Sequence, residues 1–150
     1  MRSKESYSVN KKRVLFFCVH NSARSQMAEA WLRHIGGHAF EAESAGLEPG
    51  TVKPLVVAVM QEAGIDISQK GTQSIFEVNK SGRKYDYIIA LCDGENAKRC
   101  PVFPGVRKFL HWDFPERPKQ TSIEGEQLMH FRKVRDLIRE RVTNWLAEQP

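Results

Sequence analysis

The stretch Cys18-Val19-His20-Asn21-Ser22-Ala23-Arg24-Ser25 lies between an apolar segment and a segment with helical periodicity. Residues 14–17 are β-branched, aliphatic or aromatic, which is typical of a buried strand. Beyond the stretch, apolar residues recur at helical spacing at Met27, Ala28, Trp31, Leu32 and Ile35. The sequence therefore predicts a strand at 13–18, a loop, and a helix at 24–35.

A loop between a strand and a helix start is suited to hold an anion, because backbone N–H groups and the positive end of the helix dipole converge there. Arg24 adds a planar fork of donors that matches two oxygens of a tetrahedral oxyanion. The same surroundings favour the thiolate form of Cys18, so we predict that Cys18 attacks the central atom of the bound oxyanion. The predicted oxyanion-binding residues are Val19, His20, Asn21, Ser22, Ala23, Arg24 and Ser25.

Two alternatives stay open for parts of this loop. Cys18 and Arg24 could be a buried structural cysteine and a surface arginine, although the strand–loop–helix context favours the anion site. His20 either orients the loop through a ring hydrogen bond or contacts solvent.

The other two cysteines of the chain, Cys92 and Cys100, are close to each other in the sequence. A second apolar segment, 85–91, is predicted to be a strand and ends at Cys92, and seven polar or small residues separate Cys92 from Cys100. If the two strands are parallel neighbours, about 4.8 Å apart, Cys18 and Cys92 leave the sheet at one edge, near the Cα separation of about 4.4–6.8 Å that a disulfide requires. No second Cys-x-x-Cys or His pair completes a zinc site, so redox or nucleophilic chemistry is the better interpretation.

Several further motifs accompany these cysteines: Gln26-Met27-Ala28-Glu29-Ala30, Ser44-Ala45-Gly46, Leu91-Cys92, Cys100-Pro101 and His111-Trp112. Together they resemble the thioredoxin-coupled arsenate reductases, which have the fold of the low-molecular-weight protein tyrosine phosphatases. The resemblance covers nearly everything from Arg13 onward. The Cys-x5-Arg-Ser loop alone indicates the phosphatase superfamily, and the added cysteine pair indicates the reductases.

The resemblance implies a relay of three cysteines that reduces arsenate to arsenite. Cys18 attacks the arsenic, Cys92 attacks Cys18 and releases arsenite, and Cys100 attacks Cys92 to give a disulfide that thioredoxin reduces. A phosphatase for phosphotyrosine or a small phosphomonoester is the alternative, since it needs Cys18, Arg24 and an acid but no cysteine pair. A binding or redox-sensing module without turnover is a further alternative.

The general acid departs from the family pattern. In the family, the segment after His-Trp usually ends in Asp-Pro, and that aspartate is the acid; this chain has Asp113-Phe114-Pro115-Glu116-Arg117-Pro118. By position, Glu116 is the predicted acid, and Asp113 is the second candidate.

Some reductases of this kind bind potassium near the anion loop. Asn21, Glu29 and Ser44 match that pattern, but the remaining acidic ligand has no clear counterpart around residues 68–74. We therefore assign neither a metal nor another cofactor.

The charge of the chain is concentrated at its start. Residues 1–13 carry five basic side chains and one acidic one, a net charge of +4 within the formal +5 of the whole chain. We predict a disordered basic tail at 1–12 and one phosphatase-like reductase domain at 13–150, with no basic stripe for nucleic acid. The lack of a signal peptide and of a membrane-spanning run predicts a cytoplasmic protein, which we expect to be a monomer.

Strand-like and helix-like stretches alternate along the chain. Beyond the first strand and helix, the sequence predicts a strand near 38–44, a helix at 54–63, a short helix near 72–80, strands at 85–91 and 106–111, and a closing helix at about 123–147. The alternation predicts an α/β fold with a single parallel sheet, helices on both faces, and ligands at the carboxyl ends of the strands.

Overall fold

A computed structural model of the protein describes residues 11–114 and 123–149. Almost all of the predicted tail, and the predicted acid Glu116, lie outside the described residues. The elements are β1 (Lys12–Cys18), α1 (Arg24–Gly36), β2 (Phe40–Gly46), α2 (Pro54–Glu62), α3 (Ile75–Lys80), β3 (Tyr87–Ala90), α4 (Gly94–Ala97), β4 (Lys108–His111) and α5 (Glu124–Glu148).

The four strands form one parallel sheet in the order β2-β1-β3-β4. In β1, every residue from Val14 to Cys18 is buried. Successive side chains of a strand point to opposite faces, so both faces of the central strand are covered. The predicted fold, a parallel sheet flanked by helices, is confirmed.

The closing helix α5 packs on both α1 and α2, and α1 packs in turn on β1 and β2. The Trp31 indole N–H in α1 donates to the Arg135 carbonyl in α5 at 3.1 Å. The buried residues of α5 recur at three- and four-residue steps: Phe131, Val134, Ile138, Val142 and Trp145. In the described ranges, no helix combines the length and the apolar character needed to cross a membrane.

Local hydrogen bonds explain where element boundaries differ from the predicted ones. The second strand begins at Phe40 instead of 38, because the chain first turns, with the Ala39 N–H donating to the Gly36 carbonyl at 3.0 Å. The short third helix begins at Ile75 instead of 72, where the Ser74 hydroxyl accepts from the N–H groups of Phe76 and Glu77.

The segment after Cys92 also differs from the prediction. The polar and small residues between Cys92 and Cys100 predict a loop, but the segment contains the one-turn helix α4. The Asp93 carboxylate caps this turn by accepting from the Asn96 N–H at 2.9 Å.

The C-terminal end of β2 touches the loop that follows β1. Gly46 pairs with Cys18 across the sheet, and its N–H donates to the Gln73 carbonyl at 2.8 Å. A Cβ atom at Gly46 would lie 2.9 Å from both the Asn21 nitrogen and the Val19 oxygen. Glycine is therefore needed here for the close approach of two backbones.

We expect Gly46→Ala to lower the free energy of unfolding by about 1–3 kcal/mol, because the added methyl group must displace loop backbone. Urea denaturation followed by circular dichroism measures the change. Gly125→Ala is the matched control, since a Cβ there meets nothing within 4 Å. Equal unfolding midpoints for Gly46→Ala and the native protein would show that the loop moves aside without cost.

Candidate active site

The nucleophile predicted from the sequence, Cys18, is buried at the carboxyl end of β1. Its sulfur lies 2.9 Å from the Ser25 hydroxyl in the first turn of α1. That hydroxyl oxygen already accepts from the Asn21 side-chain amide at 2.8 Å. One hydroxyl group of Ser25 therefore joins Cys18 to the Asn21 amide.

Residues 18–25, called the anion loop below, have their carbonyls turned away from the site. Four of these carbonyls accept hydrogen bonds of 2.7–3.2 Å from the segment 47–53: Cys18 from Leu47, Val19 from Glu48, His20 from Gly50, and Ser22 from Lys53. Across a trans peptide, the N–H that follows a carbonyl points the opposite way. The anion loop therefore turns N–H groups toward its concave side.

The start of α1 adds further N–H groups to those on the concave side of the anion loop. The helix begins at Arg24, and Ala23 at the N-cap has no side chain that could accept from the first-turn N–H groups. These donors are available to an anion in the loop. The two alternatives for His20 occur together, since its Nδ1 lies 3.0 Å from the Glu48 carbonyl and its side chain is exposed to solvent.

A cavity of about 320 Å³ opens above Cys18 and Arg24. Besides residues of the anion loop, it is lined by Lys53, Asp93, His130, Phe131 and Val134. No local sequence pattern predicts that these five residues line one cavity, because they come from three distant parts of the chain.

Asp93 is a helix cap in this cavity rather than a candidate acid. Both of its carboxylate oxygens accept from Asn96, one from the backbone N–H and one from the side-chain amide, each at 2.9 Å. These hydrogen bonds lower the pKa of Asp93 below its usual range. The carboxylate therefore stays ionised and holds no proton to give.

The three cysteines form a series from the cavity outward. The predicted pairing of β1 with β3 is confirmed, with Phe17 opposite Ala90. Burial raises the pKa of Cys92 to about 11, the charge of Cys18 adds to this effect, and Arg24 acts against it. Burial raises the pKa of Cys100 to about 12, with a smaller contribution from Cys92. Each thiol thus lies within electrostatic range of the next.

The segment from Asp93 to Cys100 is anchored at several points. Arg99 donates to the Glu48 carboxylate at 3.0 Å and to the Asn96 side chain at 2.9 Å. The ring of His111 hydrogen-bonds to the Cys92 carbonyl. These contacts hold the half-buried Cys100 beside the loop that supports the anion loop.

The second candidate acid, Asp113, is exposed and lies 3.4 Å from the His111 ring. Among the described residues, it does not line the cavity above Cys18. The first candidate, Glu116, lies outside the described residues.

A polar network lies behind the anion loop. Asn21 has a φ of 55°, and its amide donates to Ser44 at 3.0 Å and accepts from the Gln73 N–H at 3.2 Å. The Ser44 hydroxyl donates to Glu29 at 2.6 Å. Glu29 is only 2% exposed, and its other oxygen lies 2.6 Å from the Lys70 ammonium.

This network does not fit a potassium ion at the three residues that match the family pattern. The Glu29 carboxylate already faces Lys70 at 2.6 Å and Arg33 at 3.0 Å. The Lys70 ammonium thus contacts the carboxylate oxygen that would otherwise bind a monovalent cation.

Comparisons with known proteins agree with this geometry. Residues 13–149 match the family model of the low molecular weight phosphotyrosine protein phosphatases. The arsenate reductase of Bacillus licheniformis is 40% identical over 134 residues, 89% of this chain and 94% of that protein. The glutaredoxin arsenate reductase of Synechocystis sp. is 37% identical over 137 residues, 91% of this chain and 98% of that protein.

Solved structures give the same grouping. An arsenate reductase in its phosphate-binding state superposes with a TM-score of 0.71 at 34% identity, over 91% of this chain and 98% of that one. The thioredoxin-dependent arsenate reductase of Corynebacterium glutamicum gives 0.72 at 28% identity, over 96% of this chain and 64% of that one. The chain therefore belongs to the low molecular weight phosphotyrosine protein phosphatase family and, within it, to the group of the arsenate reductases.

Proposed function

We propose that this protein reduces arsenate to arsenite with Cys18 as the nucleophile. The observation that carries the proposal is the position of the Cys18 sulfur, which lies 2.9 Å from the Ser25 hydroxyl and lines, together with Arg24, a cavity of about 320 Å³. A second buried thiol, Cys92, follows the neighbouring strand. The arsenate reductases among the relatives support the choice of arsenic as the central atom.

In the first step, the N–H groups of the anion loop and Arg24 hold the arsenate oxygens. The Cys18 thiolate attacks the arsenic, a sulfur–arsenic bond forms, and one arsenate oxygen leaves as water. Glu116, or Asp113 in its place, supplies the proton that this oxygen needs.

In the second step, the Cys92 thiolate attacks the Cys18 sulfur. A disulfide forms, the sulfur–arsenic bond breaks, and its electron pair stays on arsenic, which leaves as arsenite. In the third step, Cys100 attacks Cys92, which gives the Cys92–Cys100 disulfide and releases the Cys18 thiolate for another arsenate.

The electrostatics of the three thiols favour this order. A negative charge on Cys18 contributes to the raised pKa of Cys92, and a charge on Cys92 contributes to that of Cys100. When Cys18 binds arsenic it loses its charge, so Cys92 then releases its proton more readily. The same argument applies to Cys100 once Cys92 is in a disulfide.

We propose thioredoxin as the reductant, because a disulfide between two cysteines of one chain is a substrate for an external dithiol. A solved structure neighbour is thioredoxin-dependent, whereas one relative is named as a glutaredoxin enzyme. Arsenite formation with each purified reductase system separates the two donors.

A phosphatase activity is the second candidate, because phosphate and arsenate share shape and charge and the matching family model is one of phosphatases. Hydrolysis of a chromogenic phosphate ester, run beside arsenite formation, compares the two activities.

Cys18→Ser should abolish arsenate reduction and any phosphatase activity, since a serine hydroxyl is a much weaker acid and a much weaker nucleophile than a thiol. Arsenite formation with thioredoxin, thioredoxin reductase and NADPH measures the loss. Residual turnover above background would place the nucleophile elsewhere.

Glu116→Gln should slow the first chemical step by about 10²–10⁴-fold if Glu116 donates the proton, with Asp113→Asn much milder. Single-turnover kinetics with excess enzyme measures this step. The reverse ranking would assign the acid to Asp113, and no effect from either change would mean that solvent protonates the leaving oxygen.

Cys100→Ser and Cys92→Ser should separate the roles of the two further cysteines. With excess arsenate, Cys100→Ser should form about one arsenite per enzyme and stop as a Cys18–Cys92 disulfide, which peptide mapping detects. Cys92→Ser should form none, yet keep any phosphatase activity that depends on Cys18. Sustained thioredoxin-driven turnover by Cys100→Ser would exclude this relay.

A further inference from the structure

The centre of the polar network behind the anion loop is a buried carboxylate. Glu29 is 2% exposed, and its two oxygens face different partners. One accepts from the Ser44 hydroxyl at 2.6 Å, and the other lies 2.6 Å from the Lys70 ammonium. A buried carboxylate is costly unless a cation and hydrogen bonds compensate it, and at Glu29 the Lys70 ammonium and the Ser44 hydroxyl are these two partners.

A continuous series of hydrogen bonds joins this carboxylate to the nucleophile. The Ser44 hydroxyl, which donates to Glu29, accepts from the Asn21 amide at 3.0 Å. The same amide nitrogen donates to the Ser25 hydroxyl at 2.8 Å, and that hydroxyl lies 2.9 Å from the Cys18 sulfur. The series ends at the Glu29 carboxylate, which accepts the last hydrogen bond. This acceptor sets the direction in which the Ser44 hydroxyl and the Asn21 amide donate.

Lys70 also belongs to the segment that holds the anion loop from behind. In this segment the Gly71 carbonyl accepts from the Gln26 side chain at 3.0 Å. The Gln73 N–H donates to the side-chain oxygen of Asn21 at 3.2 Å. Arg33 reaches the same Glu29 oxygen as Lys70, but from a side chain that is more than half exposed. Solvent weakens such a pair, so Lys70 is the main compensating charge.

We propose that Lys70 is a positioning residue for Cys18, and that its ammonium takes the place of a bound monovalent cation at Glu29. The proposal rests on the proposed function only in naming Cys18 as the nucleophile. The positive charge that supports the anion loop is then a side chain of the protein and not a bound ion. Potassium therefore has no specific effect on the protein.

The test measures anion binding without arsenate turnover. Iodoacetamide alkylates Cys18, peptide mapping identifies the modified thiol, and inorganic phosphate protects it by filling the anion loop. Potassium chloride is compared with tetramethylammonium chloride at equal ionic strength, so that only a specific cation effect differs.

Lys70→Met should raise the phosphate concentration for half protection by roughly 10-fold in tetramethylammonium chloride, because Glu29 loses its cation and the series of hydrogen bonds relaxes. Potassium chloride should restore much of this loss in Lys70→Met and do nothing to the native protein. Lys70→Arg should stay near the native value, and Lys84→Met is the control that removes an exposed lysine.

Three results would overturn the proposal: native phosphate protection in folded Lys70→Met, a weakening that potassium does not relieve, or a specific potassium effect on the native protein. If Lys70→Met does not fold by circular dichroism, the double variant Glu29→Gln/Lys70→Met, which buries no charge, replaces it. That variant should bind phosphate more weakly and ignore potassium, and native protection there would equally overturn the proposal. Native protein whose Cys18 is protected by phosphate but which forms no arsenite would instead count against the proposed function alone.

Discussion

The buried amide of Asn21 fixes the shape of the anion loop, and the rest of the site depends on that shape. A left-handed backbone costs a non-glycine residue about 1–2 kcal/mol, and asparagine is among the few that adopt it. Here the side chain donates to Ser25 and Ser44 and accepts from Gln73, so the surroundings determine the conformation. With Asn21 held in this way, the carbonyls on either side bond to the segment 47–53, and the Ser25 hydroxyl stays beside Cys18.

The charges of the site are separated by the same loop. On the concave side, backbone N–H groups, the start of α1 and Arg24 present positive potential to an oxyanion. On the opposite side, the Glu29 carboxylate is compensated by Lys70 and Arg33. A buried negative charge so near the nucleophile would otherwise oppose anion binding, and the paired cations remove that conflict.

The sequence predicts those parts of the structure that local patterns determine. The apolar run at β1 and the helical periodicity at α1 identify these two elements, and the alternation of strands and helices predicts the parallel sheet. A strand that is buried on both faces is apolar at successive positions, and the sequence shows this directly. The contact of Glu29 with Lys70 and the position of His130 in the cavity arise only from tertiary packing. The resemblance matches Glu29 to a potassium ligand of the family, and nothing in the local pattern shows that a lysine 41 residues away is its partner.

In the proposed mechanism, the environment of the second thiol decides whether the anion loop serves hydrolysis or reduction. Hydrolysis requires water to attack the central atom, whereas reduction requires a thiol to attack the sulfur bonded to it. Cys92 is 2% exposed and follows the strand that pairs with β1, so it is close to Cys18 in a place from which solvent is largely excluded. Arsenic accepts the electron pair of the broken bond and becomes arsenite, while phosphorus in phosphate is not reduced by thiols. In the proposed mechanism, a thiol in this position therefore adds reduction to a loop that would hold either anion.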